Sequence, residues 1–183
     1  MAKICVLIGC LLASFLGHGQ DSIRALRLKV VKQAESQLYV RELTGHNDGL
    51  EVEIYLKLVG MDKGQPWCGA YVSWVFFKAG VKTIRSARAA DWFKTNIVYK
   101  KTNLGQKVPD LLPAQTVAFW YNNLGRIGHI VIVEKDMQNS VATIGGNTSA
   151  KGEREGQGVS KKIFPKSMIY AVSDHVQYSK QLQ

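Results

Sequence analysis

Ile23, Leu26, Val30, Ala34 and Leu38 recur every three to four positions, which predicts an amphipathic helix that stops before Gly45. Asn47-Asp48 offers a cap for a second, short helix through Glu53 and Leu58, ending at Gly60. A third is expected over residues 68–79, with Pro66 suited to its first turn and Gly80 closing it. Ser86 can cap a fourth over residues 90–94. Beyond Pro109 the period changes. Residues 116–120, 129–133, 141–144 and 168–172 are β-rich runs separated by Gly, Asn and Asp. Helices followed by strands predict an α+β fold in which the N-terminal helices pack on an antiparallel sheet.

Composition leaves that picture intact and narrows the setting. With 183 residues, 46% hydrophobic and 21% charged, the chain suits one compact unit and excludes disordered, collagen-like and coiled-coil classes. The amino terminus carries Lys3, an apolar run over residues 4–17 and the small-x-small pattern Gly17-His18-Gly19. Such a run is too short to span a bilayer, which takes about 18 residues or more, so residues 1–19 are expected to be a cleaved secretory signal. Residues 20–183 then form a single domain, exported to the periplasm or beyond and without stable membrane insertion. Leu7-Ile8-Gly9-Cys10 resembles a lipidation site, but the apolar stretch before Cys10 is short and continues past it, so an anchor is the lesser expectation. Cleavage would remove Cys5 and Cys10, leaving Cys68 without an intramolecular disulfide partner.

Cys68 sits in Pro66-Trp67-Cys68-Gly69-Ala70, which places a thiol at a helix N-terminus, where the dipole and free N–H groups favour thiolate. Gly69 and Ala70 are expected to leave the sulfur open to a bulky substrate, and Tyr71, Val72, Val75 and Phe76 to form the packing face behind it. A thiolate needs a base. His129 enters an apolar strand after Gly128, held rigidly with its edge accessible, whereas His46 and His175 read as surface or satisfied core residues. The imidazole in turn needs an orienting acceptor. Asn147, beyond the strand over 141–144, is the candidate, or else a turn residue after two glycines. Glu134 is a rival by charge, but alternation puts it on the opposite face from His129. No His-Glu-x-x-His or paired Cys-x-x-Cys is present, so neither metal nor cofactor is expected.

Three ordered blocks carry a resemblance. Gln65-Pro66-Trp67-Cys68-Gly69-Ala70-Tyr71-Val72-Ser73-Trp74, Gly128-His129-Ile130-Val131-Ile132-Val133-Glu134 and Thr143-Ile144-Gly145-Gly146-Asn147-Thr148 resemble those of the CHAP domain, the cysteine, histidine-dependent amidohydrolase/peptidase family. The resemblance extends from about Arg41 to Asp174 and implies a papain-like α+β fold that cleaves amide bonds in peptidoglycan. It also implies Cys68 as nucleophile, His129 as base and then acid, Asn147 as orienter, and Gln65 with the Cys68 N–H as oxyanion donors. The chain departs from the family at Gly145, where a glutamate is frequent, and at Gln115-Thr116, where Gly-Asp often opens the strand before the histidine.

Charge adds a location. The formal net charge of +10 predicts attraction to a polyanion, and the surplus is uneven. Lys78, Lys82, Arg85, Arg88, Lys94, Lys100, Lys101 and Lys107 crowd into residues 78–107 against Asp91 alone. Trp67, Lys100, Lys101 and Lys107 are therefore expected to contact substrate. Export makes an anionic wall polymer the expected partner of a monomer, and no nucleic acid. Three functions compete: a peptidoglycan amidase or endopeptidase, a papain-like protease acting on proteins, and a non-catalytic envelope-binding module with Cys68 in its core.

Overall fold

The computed structural model of the chain describes residues 21–103, 105–148 and 157–179. The signal peptide expected over 1–19 and the possible anchor at Cys10 lie outside the described residues. Among the described residues no helix is long and apolar enough to cross a membrane.

Helix α1 covers residues 21–35 and buries Val30 and Ala34 fully, as their spacing predicts. Helix α2, Leu50–Leu58, begins differently from expectation. Asp48 does not cap it, because its carboxylate closes its own turn, accepting from the Thr44 N–H at 2.9 Å and the Thr44 hydroxyl at 2.7 Å. Gly49 takes the cap position instead. Helix α3, Cys68–Ala79, has the expected bounds, and Gly80 closes it in the left-handed region at φ 85°. Pro66 lies outside it, since Trp67 at φ −118° is already the cap residue. The fourth predicted helix is a 3-10 turn, Ala89–Phe93, entered through Ser86, whose hydroxyl oxygen accepts from the Arg88 N–H at 3.1 Å.

Six strands follow: β1 Ile97–Lys100, β2 Thr116–Tyr121, β3 Arg126–Met137, β4 Ser140–Gly145, β5 Ser160–Pro165 and β6 Ile169–Ser173. They form one antiparallel sheet in the order β1-β6-β2-β3-β4-β5. The α+β expectation therefore holds. The four predicted strands occupy its interior, and the two unpredicted ones, β1 and β5, are its edges. One sheet face, with Ala118, Ile130, Ile132, Ile144 and Ala171, packs on Val72, Val75 and Phe76 of α3 and on α1 and α2. The other face, with Val117, Phe119, Val131, Val133 and Val172, closes under Leu111 and Val108.

One buried ion pair fastens the helical layer to the sheet where β2 begins and β6 ends, on neighbouring strands. Arg27 of α1 donates to Asp174 at 2.6 Å and to the Pro113 carbonyl at 3.1 Å. Asp174 also accepts from Gln115 at 3.0 Å and from the Gln177 N–H at 2.9 Å, capping the short helix α4, His175–Tyr178. Removing one partner leaves the other charge buried and unpaired. Asp174→Ala is expected to cost about 3–5 kcal/mol in urea unfolding, whereas Arg27→Met combined with Asp174→Leu costs much less. Equal losses from the two would contradict a penalty that comes from the stranded charge.

Candidate active site

The Cys68 side chain occupies the first helical position of α3 and is 5% exposed. The backbone N–H groups of Cys68 and Gly69 in the helix and of Ile130 in β3 lie near enough to favour its charged form. Cys68 and Ile130 belong to one core cluster, so the thiol-bearing end of α3 packs with the strand that carries His129. The helix reaches this position because Trp67 and Tyr71 press on Gly146, where a Cβ would lie 2.5 Å from Trp67 Cζ3 and 2.7 Å from Tyr71 Cβ. Trp67 is held from the other side by Glu42, whose carboxylate accepts from the indole N–H at 2.8 Å.

His129 lies at a break in strand pairing. Phe119 pairs with His129 but Trp120 pairs with Ile127, so Gly128 is an extra residue on β3 and forms a β-bulge. The Tyr121 ring covers it, and a Cβ at Gly128 would lie 2.3 Å from Tyr121 Cδ2. The imidazole stacks on Phe119 with ring centroids 6.3 Å apart, and its Nε2 lies 3.4 Å from the Thr148 hydroxyl oxygen. Glu134 takes no part. It is bonded to Lys161, which also reaches Glu35 of α1 at 2.8 Å, consistent with its place on the opposite face.

A buried thiol at a helix start, seated against a strand that carries a buried histidine, is joined in sequence to a known pattern. Residues 60–147, just under half of the chain, match the family model described as CHAP domain. That stretch resembles a CHAP domain. No curated protein and no solved structure matches it. The match to this amidohydrolase/peptidase family covers both Cys68 and His129, and the helices with the six-stranded antiparallel sheet are the papain-like arrangement expected of it.

Other predicted residues of the CHAP domain fall in varied places. Gln65 is solvent-exposed in the loop three residues before Cys68. Asn147 is half-buried at φ 54°, and among the described residues no hydrogen bond joins it to His129. Trp67 is fully buried, so its role is to seat α3 and not to touch substrate. Gly69 and Ala70 do not open the sulfur. Ala70 is buried, and a Cβ at Gly69 would lie 2.4 Å from the Ala87 carbonyl, so the small residue serves close seating of the 86–87 loop. Lys100 and Lys107 are exposed, while the Lys101 ammonium is tied to the Ser167 carbonyl at 3.0 Å. Lys100 shares a rung with Ala171, Ala118 and Ile130, three strands from the site and roughly 14 Å away. His46 is exposed, and His175 is a satisfied core residue, with Nε2 3.0 Å from the Trp92 carbonyl and Nδ1 2.8 Å from the Thr83 hydroxyl.

Sequence reasoning missed Tyr121, Arg126, Lys162 and Thr148. Arg126 and Tyr121 are exposed and within electrostatic reach of Cys68, and Lys162 faces His129 from β5. Only Thr148 stood inside a quoted motif.

Burial sets the protonation of the resting pair. It pushes the Cys68 thiol up, against the opposing pull of the Ile130, Gly69 and Cys68 N–H groups and of Arg126. The thiolate that a helix N-terminus favours is thus not the resting form. Burial, helped by Lys162, lowers His129 to about 4, so its imidazole is a neutral base at pH 7. An unfolded chain would protonate His129 near its ordinary 6.5. Between those values the unfolded state binds more protons, so stability is complete above about pH 6.5 and falls as pH drops toward 4. His175, also lowered by burial, adds in the same direction. The expected loss from His129 is of order 3 kcal/mol. Urea unfolding at pH 7, 5.5 and 4.5 should show it, with a shallower slope in His129→Gln; identical slopes would contradict a buried neutral imidazole.

Proposed function

We propose that the protein is an exported peptidoglycan hydrolase that cleaves an amide bond, as a muramoyl-alanine amidase or a peptide endopeptidase, through Cys68 and His129. What supports this reading is the match of residues 60–147, which hold both Cys68 and His129, to the CHAP domain, with Cys68 and Ile130, the neighbour of His129, in one core cluster. The resting pair is neutral, so the thiol proton passes to His129 as sulfur attacks the carbonyl carbon. The C=O π electrons move to oxygen, and the resulting oxyanion accepts from the Cys68 N–H and from Gln65. Collapse re-forms the carbonyl and breaks the C–N bond, with His129 handing its proton to the departing amine. Water then adds to the thioester with His129 as base, releasing a carboxylic acid and restoring the thiol.

Anionic wall polymer is the proposed partner, and the exposed Lys100 and Lys107 are its proposed contacts away from the scissile bond. Export through a signal over 1–19 places the enzyme with that polymer.

Cys68→Ala is expected to lower fragment release from purified cell walls by at least about a thousandfold while leaving the melting temperature close to wild type. Mass spectrometry of the fragments identifies the bond. Release of muropeptides supports the reading, and cleavage of denatured protein without any muropeptide would instead favour a protein substrate. Undiminished release by Cys68→Ala overturns the nucleophile. Separately, Lys100→Gln with Lys107→Gln should weaken wall binding and flatten its salt dependence, with kcat/KM on a soluble muropeptide unchanged. Equal losses on both substrates would place these lysines in the catalytic step.

A further inference from the structure

The proposed chemistry uses one nitrogen of His129 and says nothing of what holds the ring. Nε2 lies 3.4 Å from the Thr148 hydroxyl oxygen, and that oxygen lies 3.2 Å from the Gly146 carbonyl oxygen. A hydroxyl has one proton, and a carbonyl only accepts. Both contacts are hydrogen bonds at once only when the Thr148 proton goes to Gly146 and the Thr148 oxygen accepts from an Nε2–H. This relay leaves the lone pair on Nδ1. Both side chains are 8% exposed, so bulk water competes little for either group.

The space that Thr148 fills is a consequence of Gly145. A Cβ at that position would lie 2.8 Å from the Thr148 hydroxyl oxygen and 2.7 Å from Val131 Cγ1. A residue with any side chain at 145 would thus displace the hydroxyl or Val131. The position at which the chain departs from its family is also the position that lets a neighbouring hydroxyl reach the histidine. Asn147, at φ 54°, makes no described hydrogen bond to the ring.

We propose that Thr148 is the positioning residue of this site, holding His129 as the Nε2–H tautomer through a hydroxyl relay to the Gly146 carbonyl, in the role that Asn147 would otherwise take. The inference rests on the reading of Cys68 and His129 as nucleophile and base, but the tautomer it specifies is measurable without turnover.

The full chain is compared as wild type, Thr148→Val, Thr148→Ser, Asn147→Ala and Cys68→Ala. Thr148→Val keeps the shape and loses the hydroxyl, so kcat on a soluble muropeptide should fall at least about tenfold with KM little changed. Thr148→Ser should stay within about threefold of wild type, and Asn147→Ala should lose less than Thr148→Val. Heteronuclear NMR of the imidazole nitrogens should show His129 protonated at Nε2 in wild type and mixed tautomers in Thr148→Val. An Nδ1–H tautomer in wild type, full activity in a folded Thr148→Val, or a larger loss in Asn147→Ala overturns the assignment. If Cys68→Ala proves as active as wild type, the hydrolase reading fails, and the tautomer measurement still decides the role of Thr148.

Discussion

Trp67 and Tyr71 press their rings onto the backbone of Gly146, and the site depends on that contact. A Cβ in that gap would overlap both residues, so α3 would have to lift from the end of β4. Lifting the helix would draw Cys68 away from Ile130, its core neighbour on the strand of His129. Glu42 presses the same indole from behind, accepting its N–H at 2.8 Å and also holding the Asn47 N–H at 2.9 Å. Cys68 is thus placed by tertiary packing of a tryptophan against a glycine. Its own helix would form without that contact, but not at this address.

His129 is placed by a different device. Regular antiparallel pairing would continue the alternation of β3 unbroken, and the bulge at Gly128 shifts it by one residue just before His129. Tyr121 fits into the volume that Gly128 leaves empty, so the same missing side chain both permits the bulge and seats a ring within reach of Cys68. A second bulge at Glu134, where Val133 pairs with Thr143 but Lys135 with Ala142, lets that carboxylate meet Lys161. The charged rival for the imidazole is thereby spent in a surface pair.

What the sequence made legible follows from which forces are local. The third helix has a periodic apolar face and a glycine stop, and its bounds at Cys68 and Ala79 were readable to the residue. Strands β2, β3 and β4 are buried and therefore apolar, which is why runs of Val and Ile marked them. The edge strands are different. Ser160–Pro165 carries Lys161 and Lys162 and pairs on one side only, so it has no need of an apolar run, and charged edges are how sheets avoid pairing with other chains. Asp48 shows the limit of capping rules, since a carboxylate four residues from a threonine found a nearer partner than the helix. The proximity of Thr148 to His129 had no local signal at all. It depends on the absent side chain of Gly145 and on how β4 ends beside β3.

The protonation of the resting pair tests how far a helix dipole reaches. Charge at a helix N-terminus is worth roughly 0.3–1 kcal/mol when exposed and up to about 2 kcal/mol when partly buried. Removing an ion from water costs several kcal/mol even after relaxation. Cys68 receives the dipole, three N–H groups and Arg126, yet the direction of its shift is set by burial, and the same burial strips the proton from His129. Under the proposed chemistry the site therefore stores no charged nucleophile but a thiol and a neutral imidazole, whose proton exchange would accompany attack on the carbonyl. If the two act together as proposed, the tautomer of His129 matters more than its charge, because a neutral ring takes a proton only at the nitrogen that lacks one. The proposed control of that tautomer falls to the Thr148 hydroxyl, which the absent side chain of Gly145 admits beside Nε2.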